Sequence, residues 1–114
     1  MKKEKISKNY LEKIPFPDEN IKWETAEDGK VTLFVENKGL FNNIAQRLFK
    51  KPKISYIHLD ENGSFVWPLM DGERNIIEIG KLVDERFGEE AQPLYPRLAK
   101  FFQILDSYGF IEWK

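Results

Sequence analysis

The sequence contains no cysteine and a single histidine among its 114 residues. Without cysteine there is no disulfide framework, no thiolate metal site and no thiol nucleophile. The lone His58 offers no partner for a histidine-rich metal site, and its setting between apolar residues reads as strand packing rather than as a general base. Glycine is scattered singly, so Gly63, Gly72, Gly80 and Gly88 serve as helix punctuation and do not form a phosphate cradle. The acidic pairs Asp84-Glu85 and Glu89-Glu90 fall where solvated helix ends are expected. No nucleophile, base and orienting group can be assembled, so the chain is read as a non-enzyme without metal or cofactor.

An excess of one charge is also missing. Eighteen Lys and Arg residues face 19 Asp and Glu, a net charge of −1, which gives no global field for nucleic acid or an anionic membrane. No run of about 18 apolar residues could span a bilayer, and Met1 to Asn9 is charged where a signal peptide needs an apolar stretch. The expectation is a cytoplasmic, soluble chain with one hydrophobic core.

What is present divides by period. Residues 1–20, ending in "IPFPDEN", read as a flexible or loosely docked tail, and residues 21–114 as a single domain. From Ile21 the period is two. Ile21, Trp23 and Thr25 share one face, and Val31, Leu33 and Val35 share another, with Asp28-Gly29 as the hairpin turn between them. "ISYIHL", Ile54 to Leu59, is a third strand that is apolar on both faces. Ile54, Tyr56 and His58 lie on one side and Ser55, Ile57 and Leu59 on the other. Such a strand is central, covered by helices, or completed from outside the chain. Between the second and third strands, residues 40–51 form a basic amphipathic helix. It reads as a lid on its own core, or as a partner or membrane surface through Phe41, Arg47, Leu48, Phe49, Lys50 and Lys51.

The remainder is helical. Asp60 caps a short helix through Phe65 and Met70, Asn75 caps a second with Ile76, Ile79, Leu82, Val83 and Phe87 buried, and Pro93 opens a third with Leu94, Leu98, Phe101, Phe102 and Leu105 on its apolar face. Pro68 falls inside the first helix, where a kink or a loosened last turn is expected. The fold class is α+β and winged-helix-like. A three-stranded antiparallel sheet is followed by a three-helix bundle, with the extra helix inserted between strands 2 and 3. DNA readers and protein-binding modules share that architecture. The third helix exposes only Arg97, Lys100 and Gln103, and the second carries Glu78, Asp84 and Glu85, which favours a protein or peptide partner over nucleic acid.

"GSFVWPLMDGERNIIEIGKLVDERFGEE", followed by an apolar helix and "GFI", resembles the PqqD family. The shared features fall on Phe65, Trp67, Leu69, Asp71, Gly72, Arg74, Asn75, Ile76, Ile79, Val83 and Phe87, and the resemblance extends over about residues 21 to 113. It implies a non-catalytic RiPP recognition element, a peptide chaperone that binds the leader of a ribosomally made precursor peptide and presents it to a modifying enzyme, often a radical S-adenosylmethionine enzyme. By that resemblance the leader adds a strand to the sheet edge at Ile54, Ser55, Tyr56, Ile57, His58 and Leu59. It is also gripped by Arg97, Lys100, Phe101, Ile104 and Tyr108 of the third helix. Such domains serve many peptide pathways, so a mode of recognition is implied rather than one product. The exposed edge is equally open to a second copy, giving a homodimer. Two alternatives stand beside this reading: a winged-helix DNA-binding or transcription-related protein, and a scaffold or peripheral membrane adaptor working through residues 40–51.

Overall fold

The computed structural model describes residues 8–37 and 53–114. The helix expected over 40–51, with Phe41, Arg47, Leu48, Phe49, Lys50 and Lys51, lies outside the described residues. The described chain opens with one helical turn, α1 (Lys8–Leu11), and a short strand, β1 (Pro15–Pro17). From Lys8 onward the N-terminal segment is tied to the body, the docked alternative of the tail reading. Pro15 is buried, β1 pairs antiparallel with the last strand of the chain, and the Ile76 N–H donates to the Lys13 carbonyl at 3.2 Å. Proline supplies the reason: both prolines hold extended backbone and lack an N–H, which suits a short edge strand better than a helix.

The period-two stretch folds as expected into a hairpin. Strand β2 (Lys22–Thr25) pairs with β3 (Val31–Asn37), with Trp23 opposite Leu33. The turn closes through Ala26 N–H to the Lys30 carbonyl at 2.8 Å, and Gly29 takes φ +88° there. All four β2 residues are exposed, so the half-buried strand expected at Trp23 is instead an edge, and only β3 is fully backed by core. Strand β4 (Lys53–His58) pairs antiparallel with β3, giving a sheet in the order β2-β3-β4 with β4 at its other edge.

Helix α2 (Glu61–Val66) begins at Asp60, whose carboxylate accepts the Gly63 N–H at 2.8 Å. It ends earlier than expected. Pro68 cannot continue an α-helix, and the chain tightens into a 3₁₀ turn over Trp67–Leu69, where proline sits in the first turn and its missing N–H costs nothing. The Asp-Gly join is an Asp71-centred turn: Asp71 Oδ1 accepts the N–H groups of Glu73 and Arg74 at 2.9 and 3.0 Å, while Gly72 takes φ +82°. Helix α3 (Ile76–Phe87) then starts with a capping box between Asn75 and Glu78. Helix α4 (Leu94–Ser107) starts after Pro93 and stops at Gly109, and β5 (Ile111–Trp113) pairs with β1 in a separate two-stranded sheet. The result is an α+β architecture with two antiparallel sheets.

The core lies between the inner face of β3 (Val31, Leu33), α3 (Ile76, Ile79, Val83) and α4 (Leu98, Phe102, Leu105), with Trp67 fully enclosed. Gly80 is required where α3 meets α4. A Cβ there would lie 2.5 Å from the Tyr95 ring, which is held by its hydroxyl donating to the Ile77 carbonyl at 3.1 Å.

Gly80→Ala gains helix propensity but drives a methyl into an anchored ring, so chemical denaturation should show a net loss of about 1–3 kcal/mol, relieved when Tyr95 is also replaced by Leu. The backbone N–H groups of Glu73 and Arg74 hold the Asp71 carboxyl below its ordinary value of 3.8. Its contribution to stability is therefore present above that value and is lost as pH falls through the lowered one. Asp71→Ala should flatten the acid limb of a Tm-against-pH curve, and an unchanged limb would show that the turn does not depend on the charge.

Candidate functional site

The β4 edge is built by hydrogen-bond parity. The Leu59 N–H donates to the Val31 carbonyl at 2.9 Å, in register with the β3–β4 pairing. In an antiparallel ladder bonded and non-bonded pairs alternate. Ile57 with Leu33 and Ser55 with Val35 are thus the pairs that bond across β3–β4. The peptide groups of Ile54, Tyr56 and His58 point the other way, out of the sheet, where no described strand pairs with them.

Side chains sort by the same parity. Ser55, Ile57 and Leu59 are half-buried against the helices, while Ile54 and Tyr56 are 43% and 61% exposed on the outer face. His58 does not pack into the core. It is exposed, and its Nδ1 stands 3.0 Å from the Thr32 hydroxyl across the sheet. Tyr56 meets Phe34 edge to face with ring centroids 5.4 Å apart. Thr32 and Phe34 were not singled out from the sequence as site residues. Their alternation with Val31, Leu33 and Val35 is the signal that places them on the outer face, but only the register shows which β4 residue each one meets.

The helical wall is less uniform than the sequence suggests. Arg97 is exposed but tethered: its Nη1 donates to the carbonyls of Glu90 and Gln92 at 2.8 and 3.4 Å, clamping the α3–α4 connection. Lys100 is exposed, and Phe101 is half-buried with its ring against Phe102. Ile104 and Tyr108 are 46% and 68% exposed, so a stripe at helical spacing runs from Lys100 along α4, and the Tyr108 ring at its end stacks on the core residue Phe110 with centroids 5.4 Å apart. This stripe extends along the sheet. Phe101 and Leu59 both approach Gly63, whereas Tyr108 borders a cleft with Ile21, Val35 and Glu36 at the opposite end of β3.

On the β1–β5 side several proton affinities are displaced. Burial, helped by Asp106, pushes the Tyr10 phenol up to about 12. A hydrogen bond between the Asp18 and Glu112 carboxyls, with the Asn20 N–H also donating to Asp18, lowers the pKa of Asp18; the same shared bond raises that of Glu112. Among the described residues there is no group of three or more His, Asp or Glu side chains arranged to hold a metal ion, and no helix is long and apolar enough to cross a membrane.

No curated protein and no solved structure matches the chain. The family model of PqqD, coenzyme PQQ synthesis protein D, matches residues 45–111, a span that takes in β4, α2, α3, α4 and the start of β5. With more than half of its length matched, the chain belongs to the PqqD family.

Proposed function

We propose that this chain is a non-catalytic adaptor that binds the leader segment of a ribosomally made precursor peptide as an added strand on β4 and presents it to a modifying enzyme. A radical S-adenosylmethionine enzyme is the partner class in view. The observation that carries the reading is the outward-pointing peptide groups of Ile54, Tyr56 and His58 on a sheet edge left unpaired by the described strands. Strand addition draws affinity from such groups and selectivity from the side chains on either face.

On the inner face the added strand meets Ile57 and Leu59 together with Phe101, Ile104 and Tyr108, with Lys100 beside them. Outside, it lies against Tyr56 and Ile54. Binding at micromolar strength requires about −8 kcal/mol, within reach of several edge hydrogen bonds and two or three apolar anchors after ordering costs. In this reading residues 21–114 act as one winged-helix-like unit in the cytoplasm, and Arg97 holds the α3–α4 connection instead of touching the peptide. Membership in the family agrees with an accessory role in peptide modification, and pyrroloquinoline quinone is one product such a pathway could make. No observation favours a DNA reader, because α4 turns Ile104 and Tyr108 outward around a single free lysine.

The test uses the parity of the edge. The tagged chain is recovered from its native host, and a short peptide that co-purifies is identified by mass spectrometry and titrated into the isotope-labelled protein. Amide shifts are expected at residues 54–59 and along α4. Tyr56→Pro removes an outward N–H while leaving the β3–β4 ladder intact. It should weaken the peptide roughly tenfold without unfolding the chain. Shifts confined elsewhere, or undiminished binding by Tyr56→Pro, would refute strand addition. Self-association lost in the same variant would instead favour pairing between two copies.

A further inference from the structure

The sheet has a second edge. Strand β2 lies at the end of the β2-β3-β4 order away from β4, and no described strand pairs with its far side. The Ala26 N–H donates to the Lys30 carbonyl at 2.8 Å, in register with the β2–β3 pairing. By alternation, Glu24 with Thr32 and Lys22 with Phe34 are the pairs that bond across β2–β3, so the peptide groups of Trp23 and Thr25 point out of the sheet. The Leu59–Val31 bond gives the same parity from the other side, since it turns the peptide groups of Val31 and Leu33 towards β4. The Ile21 carbonyl follows Trp23 and Thr25 outward, while the Ile21 N–H is taken by the Asp18 carbonyl at 3.0 Å.

This edge carries a different surface from β4. Of the large exposed hydrophobic side chains, Ile54 and Tyr56 belong to β4 and Ile104 and Tyr108 to α4, which leaves Trp23, 38% exposed, outside the peptide site. Trp23 stands on the inner face opposite Leu33, its ring edge to face with the enclosed Trp67 at 6.3 Å. Lys22 and Glu24 flank it on the outer face, both exposed.

The stretch "KWE" places opposite charges symmetrically about Trp23, so it is complementary to an antiparallel copy of itself. About a twofold axis at Trp23, each Lys22 falls opposite the Glu24 of the other copy, in non-bonded pairs whose side chains approach most closely. The two Trp23 residues form a bonded pair, and each Thr25 N–H meets the Ile21 carbonyl of the other copy. Other registers fail. An axis at Lys22 opposes two lysines, an axis at Glu24 opposes two glutamates, and an axis at Thr25 engages only the end of the strand. An axis between residues sets outward peptide groups against inward ones. Charges on an edge strand guard it against pairing, and here they guard every register except the one centred on Trp23.

We propose that β2 is a self-association edge, through which two copies of this chain pair antiparallel about Trp23 into one continuous sheet in the order β4-β3-β2-β2-β3-β4. Both β4 edges then lie at the outer ends of that sheet, so the dimer can hold two peptides at once. The contact is independent of whatever β4 binds.

Sedimentation equilibrium of the whole chain, from roughly 10 μM to 1 mM at low salt, should show a monomer–dimer equilibrium that weakens as salt screens the charge pairs. Lys22→Glu and Glu24→Lys, both at exposed positions, each set like charges opposite at both pairs and should raise the dimer Kd roughly tenfold. Mixed one to one, the two variants become complementary and should associate as strongly as the unaltered chain, and the double exchange Lys22→Glu with Glu24→Lys should restore self-association. Hydrogen exchange at the Trp23 and Thr25 amides should slow as concentration rises. A chain that stays monomeric throughout would overturn the proposal, as would association that both single variants leave unchanged. Association lost in Tyr56→Pro but kept in both charge variants would move the contact to β4 and remove it from β2. None of these outcomes bears on whether a peptide shifts the β4 amides, so strand addition stands or falls separately.

Discussion

The Ser64 hydroxyl stands where a sheet bond would otherwise close. It accepts the Val31 N–H at 2.8 Å and donates to the Leu59 carbonyl at 3.2 Å, while Leu59 returns its own N–H to Val31. One buried hydroxyl thus completes the last rung of the β3–β4 ladder from within α2. Leaving that N–H and carbonyl unsatisfied in the interior would cost about 1–3 kcal/mol each, so the bridge determines where the sheet ends and where α2 begins. The candidate edge takes its position from this point. The parity that turns Ile54, Tyr56 and His58 outward is counted from the Leu59–Val31 bond.

A second constraint works from the other side of α2. Pro68 restricts the helix to Val66 and tightens Trp67–Leu69 into a 3₁₀ turn, and Asp71 then collects the backbone of Glu73 and Arg74 before Asn75 restarts the helix. The succession of short, locally satisfied turns lets α2 and α3 pack closely, with the Phe65 and Phe87 rings edge to face at 5.5 Å. The Asp-Gly join is accordingly part of the scaffold, and its contribution to the site is to hold α3 and α4 behind the sheet.

Much of this was legible in the sequence, for local reasons. Asp28-Gly29, Asn75 with Glu78, and Gly109 announce turns and caps through their own backbone preferences. The stripes Ile76, Ile79, Val83 and Leu98, Phe102, Leu105 announce helices by spacing alone. Candidate residues were less legible because their roles depend on partners far along the chain. Arg97 has the pattern of an exposed helical charge, and only the fold brings the Glu90 and Gln92 carbonyls to its guanidinium. His58 has the pattern of a packed strand residue, and only the register places Thr32 beside it. The N-terminal segment shows the same limit: nothing near Pro15 predicts that its partner is Trp113.

Propensity, period and composition act over a few residues, and they were enough to announce strands β2, β3 and β4 and helices α2, α3 and α4, the membership in a family and the absence of cysteine chemistry. Long-range packing selected which strands form the two edges of the sheet and which way the peptide groups of β4 point. Those properties come from pairing order and parity. Each depends on contacts between residues tens of positions apart, which no local pattern encodes.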